Sequence, residues 1–184
     1  LAVRADSQPL AALAIAGGFL APILVATTAE SPVRLFGYFA ILNGAIFALA
    51  WLRAWRALNV VGFAFTFALG LFWGGKFYRP EHFAMVEPFL ILFFLFYVAI
   101  AILYAARGPL QHKAPVDGLL VFGVPLVGFA LQAALVQDTR YGAAWSAVAV
   151  AAFYAILAAV LWRRPLLGHA SLARAFVALA VIFA

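Results

Sequence analysis

Acid–base chemistry is conceivable at one place in this sequence, the polar segment 76–87 that separates two long apolar blocks. Glu81 or Glu87 could act there as a general base, and His82 could serve as a titrating partner. Arg79 could hold a phosphate or a carboxylate through its planar guanidinium group. These four residues are therefore the candidate substrate-binding residues.

The same residues have a structural interpretation, which the sequence favours. Charged side chains in a solvated loop form surface ion pairs, and Glu87 is a favourable acidic residue before a helix that begins at Pro88. Glu81 and His82 are adjacent and lack the spacing of metal ligands, so we assign no metal site. The sequence contains no glycine-rich phosphate loop, no Ser/His/Asp constellation and no HExxH motif, so it predicts no catalytic site and no cofactor.

The composition excludes a water-soluble surface. Apolar residues make up 68% of the 184 residues and charged residues only 10%, against about 45–50% and about 25% in soluble domains. Such a chain is solvated by lipid, so the lipid bilayer is its predicted partner. The net charge of +6 comes from Lys and Arg residues that stand singly or in pairs between apolar blocks, which argues against a nucleic-acid partner. Cysteine is absent, so no disulfide or thiolate site is predicted.

Charged residues and Pro/Gly breaks divide the chain into apolar blocks that can each cross a bilayer. A helix satisfies every backbone N–H and C=O group inside hydrocarbon, and no polar/apolar alternation marks a barrel, so we predict an all-α fold. It is a polytopic transmembrane helical bundle with six full spans and the start of a seventh, which Ser171 could cap. Short connections make consecutive helices antiparallel neighbours. The predicted spans are residues 9–28, 33–52, 58–75, 88–106, 118–136, 143–162 and, truncated by the end of the chain, 171–184.

The distribution of Lys and Arg predicts the orientation, because cytoplasmic loops carry an excess of these residues. The side that holds the start of the chain and alternate loops carries eight of them. The opposite side carries four, together with four of the six acidic residues. We therefore predict that the start of the chain is cytoplasmic and that the segment 76–87 lies outside.

Two of the predicted spans contain positions that break a helix. The first has Gly17, Gly18 and Pro22, and the fifth has Gly123 and Pro125. Proline lacks the backbone N–H that would bond the carbonyl four residues earlier. In transporters, broken helices in corresponding positions bring such freed groups to a central site for a substrate or an ion. The alternative, which the sequence favours, is that Gly and Pro are simply commoner in membrane helices than in soluble ones.

Small residues and isolated polar residues provide the remaining landmarks. Small residues at every fourth position favour close helix packing over a pore lining. Polar side chains at membrane depth are few and none is charged, which argues against a proton pump. The small-residue faces are Gly62, Thr66, Gly70 and Gly74 in the third span and Ala147, Ala151, Ala155 and Ala159 in the sixth; the polar residues at depth are Asn43, Asn59, Gln132, Ser146 and Tyr154.

Several stretches resemble a bacterial family of large membrane proteins. They are residues 16–25 (AGGFLAPILV), 52–59 (LRAWRALN), 78–81 (YRPE), 87–95 (EPFLILFFL) and 116–126 (VDGLLVFGVPL). The family is domain of unknown function 2339, and the resemblance covers essentially the whole chain in order. It implies an internal fragment of a longer chain, an inner-membrane location, and the remaining transmembrane helices of the parent chain as partners. It implies no activity, substrate or catalytic residue, and the sequence sets no oligomeric state.

Three functions agree with these features. The leading hypothesis is a transport-related or scaffold-like multi-pass protein of the bacterial inner membrane, because short-looped spans and two broken helices occur without a catalytic motif. The alternative is a membrane enzyme that acts on a lipid-linked or cell-envelope substrate at the outer surface, through the four candidate substrate-binding residues. The third is a structural assembly subunit, which the small-residue faces favour.

Overall fold

The computed structural model describes residues 8–25, 31–52, 55–107, 118–163 and 169–184, and within these ranges the chain is helical without a strand. This confirms the predicted all-α fold. In chain order the elements are α1 (Gln8–Val25), α2 (Pro32–Leu52), α3 (Arg56–Phe77), a 3₁₀ turn (Pro80–His82), α4 (Phe83–Arg107), a π-helical turn (Leu119–Gly123), α5 (Val124–Leu135), α6 (Gly142–Trp162) and α7 (His169–Phe183).

Six full membrane spans are not confirmed. The described part of the chain contains four helical segments that are long and apolar enough to cross a membrane: Pro32–Leu52, Ala57–Phe77, Pro80–Ala106 and Gly142–Trp162. Three further apolar helices are shorter: Pro9–Pro22, Leu119–Leu135 and Ala170–Phe183. Residues 26–28 of the first predicted span lie outside the described residues, and α5 ends at Leu135, one residue before the predicted end of the fifth span.

The structure shows how two of the helices begin. The Leu35 N–H donates to the Ser31 carbonyl at 3.2 Å, so the first turn of α2 closes directly after Ser31. Pro32 is then the first helical residue, a position where a missing N–H has little effect. Ser171 was predicted to cap the last helix, and this is wrong, because α7 includes His169 and places Ser171 inside its first turn.

The predicted loop 76–87 is mostly helical, which corrects the interpretation from sequence. Helix α3 continues to Phe77, and Arg79 is extended, with φ −135° and ψ 153°. This conformation is expected because the residue before a proline avoids the helical region. Pro80 opens the 3₁₀ turn that leads into α4, so Pro88 lies inside α4 rather than at its start. The polar segment therefore comprises the end of α3, a tight turn that ends at His82, and the start of α4.

The chain forms two compact units, Leu1–Tyr97 and Val98–Ala184, called here the first and second units. In the first unit α1 packs against α2 and α3 through aromatic side chains. The Phe19 ring lies 5.3 Å from the Phe39 ring and 5.8 Å from the Phe65 ring, measured between centroids. These contacts fix the three helices around a dense aromatic core, since aromatic pairs contribute beyond the area they bury.

In the second unit α6 packs along α7, and α5 packs on α6. Tyr154 of α6 is fully buried and its ring lies 5.1 Å from the Phe176 ring of α7. Phe129 of α5 contacts Phe183 near the end of α7, with centroids 5.0 Å apart. Aromatic contacts therefore join the three helices of this unit.

Candidate functional site

The structure brings three of the four candidate substrate-binding residues into one turn. The Arg79 N–H donates to His82 Nδ1 at 3.3 Å, and the His82 N–H donates to the Arg79 carbonyl at 2.8 Å. Arg79 Nη1 and Glu81 Oε1 are 3.8 Å apart. Glu87 lies farther along the chain, on α4, and is half-buried.

The chemistry available at this turn is limited by its exposure. Arg79 and Glu81 expose 74% and 72% of their side chains, so water competes with their ion pair and the pair contributes little to stability. The His82 ring accepts a hydrogen bond at Nδ1, so a neutral ring carries its proton on Nε2. The centroid of this ring lies 5.9 Å from that of the Trp73 ring. Among the described residues, no group of three or more His, Cys, Asp or Glu side chains could hold a metal ion. These contacts serve mainly to shape the turn between α3 and α4.

A second site lies at the proline of α1. Pro22 is inside the helix and has no N–H to donate to the carbonyl of Gly18. The Tyr38 hydroxyl on α2 donates to this carbonyl at 3.0 Å. A Cβ atom on Gly18 would lie 3.4 Å from the Leu42 side chain, so glycine helps α2 to approach. A neighbouring helix thus supplies the hydrogen bond that proline removes, which is how proline is tolerated inside hydrocarbon.

This pairing predicts a specific energetic coupling between Tyr38 and Pro22. Replacing Tyr38→Phe is expected to lower the free energy of unfolding by about 1 kcal/mol, because the Gly18 carbonyl loses a donor. The same replacement in a Pro22→Ala background is expected to have a smaller effect, because alanine restores the backbone N–H. Denaturant titration of the four combinations measures the coupling, and Tyr141→Phe, at a side chain exposed by 58%, is the control. Equal effects of Tyr38→Phe in both backgrounds would show that the hydroxyl does not replace the proline N–H.

At the second pair of helix-break positions, the helix changes type. Leu119–Gly123 is a π-helical turn, and α5 begins at Val124 with Pro125 in its first turn. Pro125 cannot donate to the Val121 carbonyl, so the α-helical pattern is interrupted where the wider turn occurs. Val121, Val124 and Pro125 are all buried. The irregular turn is therefore placed among apolar side chains of the second unit.

A buried polar cluster joins three helices of the first unit. It consists of Asn43 on α2, Thr66 on α3 and Tyr97 on α4, whose exposed fractions are 1%, 2% and 0%. The Tyr97 hydroxyl donates to Asn43 Oδ1 at 2.6 Å, and Asn43 Nδ2 donates to Thr66 Oγ1 at 2.9 Å. The Thr66 and Tyr97 hydroxyl oxygens are 3.5 Å apart. Each of these three helices is long and apolar enough to cross a membrane.

Asn43 is the centre of this cluster and its hydrogen-bonding capacity is filled. Besides Thr66, Nδ2 donates to the Phe39 carbonyl at 2.9 Å, which accounts for both amide hydrogens. Oδ1 is within hydrogen-bond distance of Thr66 Oγ1, at 3.1 Å, as well as of Tyr97. A buried network in which every member is paired holds its helices in one rotation, because any other rotation leaves polar groups unpaired.

The small-residue face of α3 comes closest to the neighbouring helices α2 and α4 beside this cluster. A Cβ atom on Gly62 would lie 2.8 Å from the Tyr97 hydroxyl oxygen and would overlap with Ile46 Cδ1. At Gly70 and Gly74, no heavy atom among the described neighbours lies within 4 Å of an added Cβ. Close packing is therefore present at the Gly62 end of the predicted small-residue face. At its other end, around Gly70 and Gly74, the described residues leave the face open.

Other polar residues predicted at membrane depth also make hydrogen bonds within the protein. Asn59 Nδ2 donates to the Trp55 carbonyl at 3.3 Å. Gln132 Nε2 on α5 lies 3.5 Å from Ser146 Oγ on α6. The first contact links Asn59 to the preceding turn of the chain, and the second lies between two neighbouring helices.

Two residues of these sites were missed in the sequence. Tyr97 follows a run of Phe and Leu and has the pattern of an apolar block around it, although a phenolic hydroxyl at mid-span needs a partner. Tyr38 was not singled out either. Asn43 was recognised as polar at depth, whereas Thr66 was assigned to a packing face. The distinguishing signal was one hydroxyl or amide group in the middle of each of three consecutive spans.

The chain was compared with known proteins. The family model described as a predicted membrane protein, domain of unknown function 2339 (DUF2339), matches residues 1–184. The chain belongs to this family. The resemblance found in the sequence is thereby confirmed. The four long apolar helices of this DUF2339 protein agree with the membrane location that the family description states. No curated protein and no solved structure matches the chain.

Proposed function

We propose that this DUF2339 protein acts as a scaffold-like module of the bacterial inner membrane, in which polar contacts hold apolar helices in a fixed arrangement. The observation that carries the proposal is the cluster of Asn43, Thr66 and Tyr97. A transport path needs polar groups that face water, an ion or a substrate. These three side chains instead use their hydrogen bonds on one another and on the backbone.

The pairing of Tyr38 with the Gly18 carbonyl supports the same proposal. A broken helix contributes to a binding site when its freed backbone group meets a ligand. Here the group that Pro22 frees accepts a hydrogen bond from a neighbouring helix. The break in α1 therefore serves helix packing.

Cysteine accessibility distinguishes a dry scaffold from a water-filled path. The chain contains no cysteine, so each variant carries a single thiol. We expect Thr66→Cys, at a buried position, to react with a membrane-impermeant thiol reagent on the order of tenfold or more slowly than Arg79→Cys, because the thiolate that reacts needs a solvated site. Labelling is measured on the protein in its membrane, with the reagent applied from each side in turn.

Arg79→Cys is the matched control, because its side chain is exposed and lies in a turn. Equally fast labelling at both positions would indicate that water reaches the cluster, and would favour transport over a scaffold. A separate unfolding measurement on Thr66→Val shows whether loss of the hydroxyl alone loosens the packing, since a loosened protein loses its cooperative unfolding.

A membrane enzyme at the outer surface is the second candidate. The observation in its favour is the turn that brings Arg79, Glu81 and His82 together next to apolar helices. Its acidic and basic groups are exposed to water, whereas catalytic groups usually work in sites that exclude it. For this reason we place the scaffold first.

A further inference from the structure

We propose that the groove between α6 and α7 binds an anionic phospholipid, with an acyl chain in the groove and the phosphate at Arg174 and Arg163. This is independent of the scaffold proposal, which rests on the first unit. The groove belongs entirely to the second unit.

The groove has the chemistry of an acyl-chain site. Its volume is about 300 Å³ and every side chain that lines it is apolar, including Ala155, Ala159 and Trp162 on α6 and Val177 and Val181 on α7. The lining residues of α6 extend over eight residues, from Ala155 to Trp162, or about 10 Å of helix. Trp162 and Val181 are 66% and 71% exposed, so the groove is open to whatever surrounds the helix pair.

The charge at one end of the groove fits an anionic headgroup. Arg174 lies one turn before Val177 on α7, and its Nε donates to the Ala170 carbonyl at 3.3 Å, toward the start of the helix. The exposed Arg163 directly follows Trp162 at the end of α6, and only residues 164–168 separate the two helices. Both arginines therefore belong to the same end of the helix pair. Residues 142–184 contain neither Asp nor Glu.

A lipid fits this surface better than another apolar helix. A packed helix would cover Arg174 without supplying a counter-charge, which is expensive in hydrocarbon. A phospholipid supplies a phosphate at the level of the arginines and a hydrocarbon chain at the level of Val177 and Ala155. Trp162 directly precedes Arg163, at the end of the groove proposed for the headgroup, where its amphipathic ring is favoured. The Lys and Arg distribution predicts that this end is cytoplasmic, the side on which anionic lipids attract basic residues.

Quenching of Trp162 fluorescence by brominated lipids tests the proposal. The protein is reconstituted in phosphatidylcholine vesicles with Trp162 as its only tryptophan, the other four being replaced by Phe. Brominated phosphatidylglycerol is then compared with brominated phosphatidylcholine. We expect half-maximal quenching at about thirtyfold lower mole fraction of the anionic lipid, the factor that corresponds to about 1 kcal/mol for each of the two arginines.

Arg174→Gln is expected to reduce this preference to about fivefold, because Arg163 remains, whereas Arg140→Gln, at the opposite end of α6, is the matched control and should keep it. Equal quenching by the two lipids, or an unchanged preference in Arg174→Gln, would overturn the proposal. Absence of quenching by either lipid would show that protein, from this chain or a second copy, covers the groove. If the four Phe substitutions prevent folding, native mass spectrometry of bound phosphatidylglycerol on the otherwise unchanged protein, Arg174→Gln and Arg140→Gln gives the same comparison.

Discussion

Replacing Asn43→Leu is expected to destabilise the first unit by about 2 kcal/mol. The variant loses hydrogen bonds to three partners, and each such bond contributes roughly 0.6 kcal/mol in a membrane protein. Leucine has the branching and the number of side-chain heavy atoms of asparagine, but the change deprives the Phe39 carbonyl, the Thr66 hydroxyl and the Tyr97 hydroxyl of one partner each. These groups lie in the core, so water does not replace the lost bonds. Reversible unfolding in detergent or bicelles, followed by helical circular dichroism, measures the change.

The cluster also predicts how further substitutions combine with Asn43→Leu. Thr66→Val added to it should have less effect than Thr66→Val alone, because the Thr66 hydroxyl has already lost its bonds to Asn43. The triple variant that also carries Tyr97→Phe should recover part of the lost stability, since removing all partners of a buried network is less unfavourable than removing one. Strictly additive losses would show that the three side chains do not act as a unit.

Replacing Gly62→Val is expected to destabilise the first unit by about 3 kcal/mol, as overpacking of a close contact does. Any Cβ atom at this position meets the Tyr97 hydroxyl and Ile46 Cδ1. The Ile46 side chain can move, but the Tyr97 hydroxyl is held by its hydrogen bond to Asn43. Valine therefore forces α3 away from α4 or breaks the polar cluster. Thermal unfolding of the reconstituted protein measures the loss.

Gly70→Val is the matched control on the same helix, because an added Cβ meets no described heavy atom within 4 Å there. Its effect should be within about 0.5 kcal/mol of zero, as for substitutions away from packed sites. Ile46→Ala in the Gly62→Val background should restore part of the stability by removing one of the two overlaps. Similar losses at Gly62 and Gly70 would mean that the loss does not arise from the close contact at Gly62.

Local features of the sequence were sufficient to predict that the helices exist, but not to predict where every helix begins and ends. The apolar blocks predicted the all-α fold, since a helix is the structure that satisfies its own backbone in hydrocarbon. The start of α4 was placed at Pro88, whereas Pro80 is the proline that begins the helical segment. Both prolines fit a helix start locally, and the contact of His82 with Trp73 of α3 is an interaction that sequence could not show.

The candidate site was predicted only in part, for a related reason. Asn43 stands out in the sequence because an amide in an apolar block needs partners, and this follows from the residue type alone. Its partner Tyr97 is 54 residues away, and Tyr38 is 20 residues from the Gly18 carbonyl that it bonds. Such pairs depend on the rotation and register of whole helices.

The sequence by itself determined that this protein is apolar, helical and a member of a membrane protein family, because these properties follow from residue types summed over local segments. Only the tertiary structure decided which polar groups meet. The close approach at Gly62 and the packing of Phe19, Phe39 and Phe65 set the helix rotations, and those rotations direct Asn43 to Thr66 and Tyr97. Hydrophobic periodicity carries almost no information on rotation when a helix is apolar on every side, so packing and a few hydrogen bonds had to supply it.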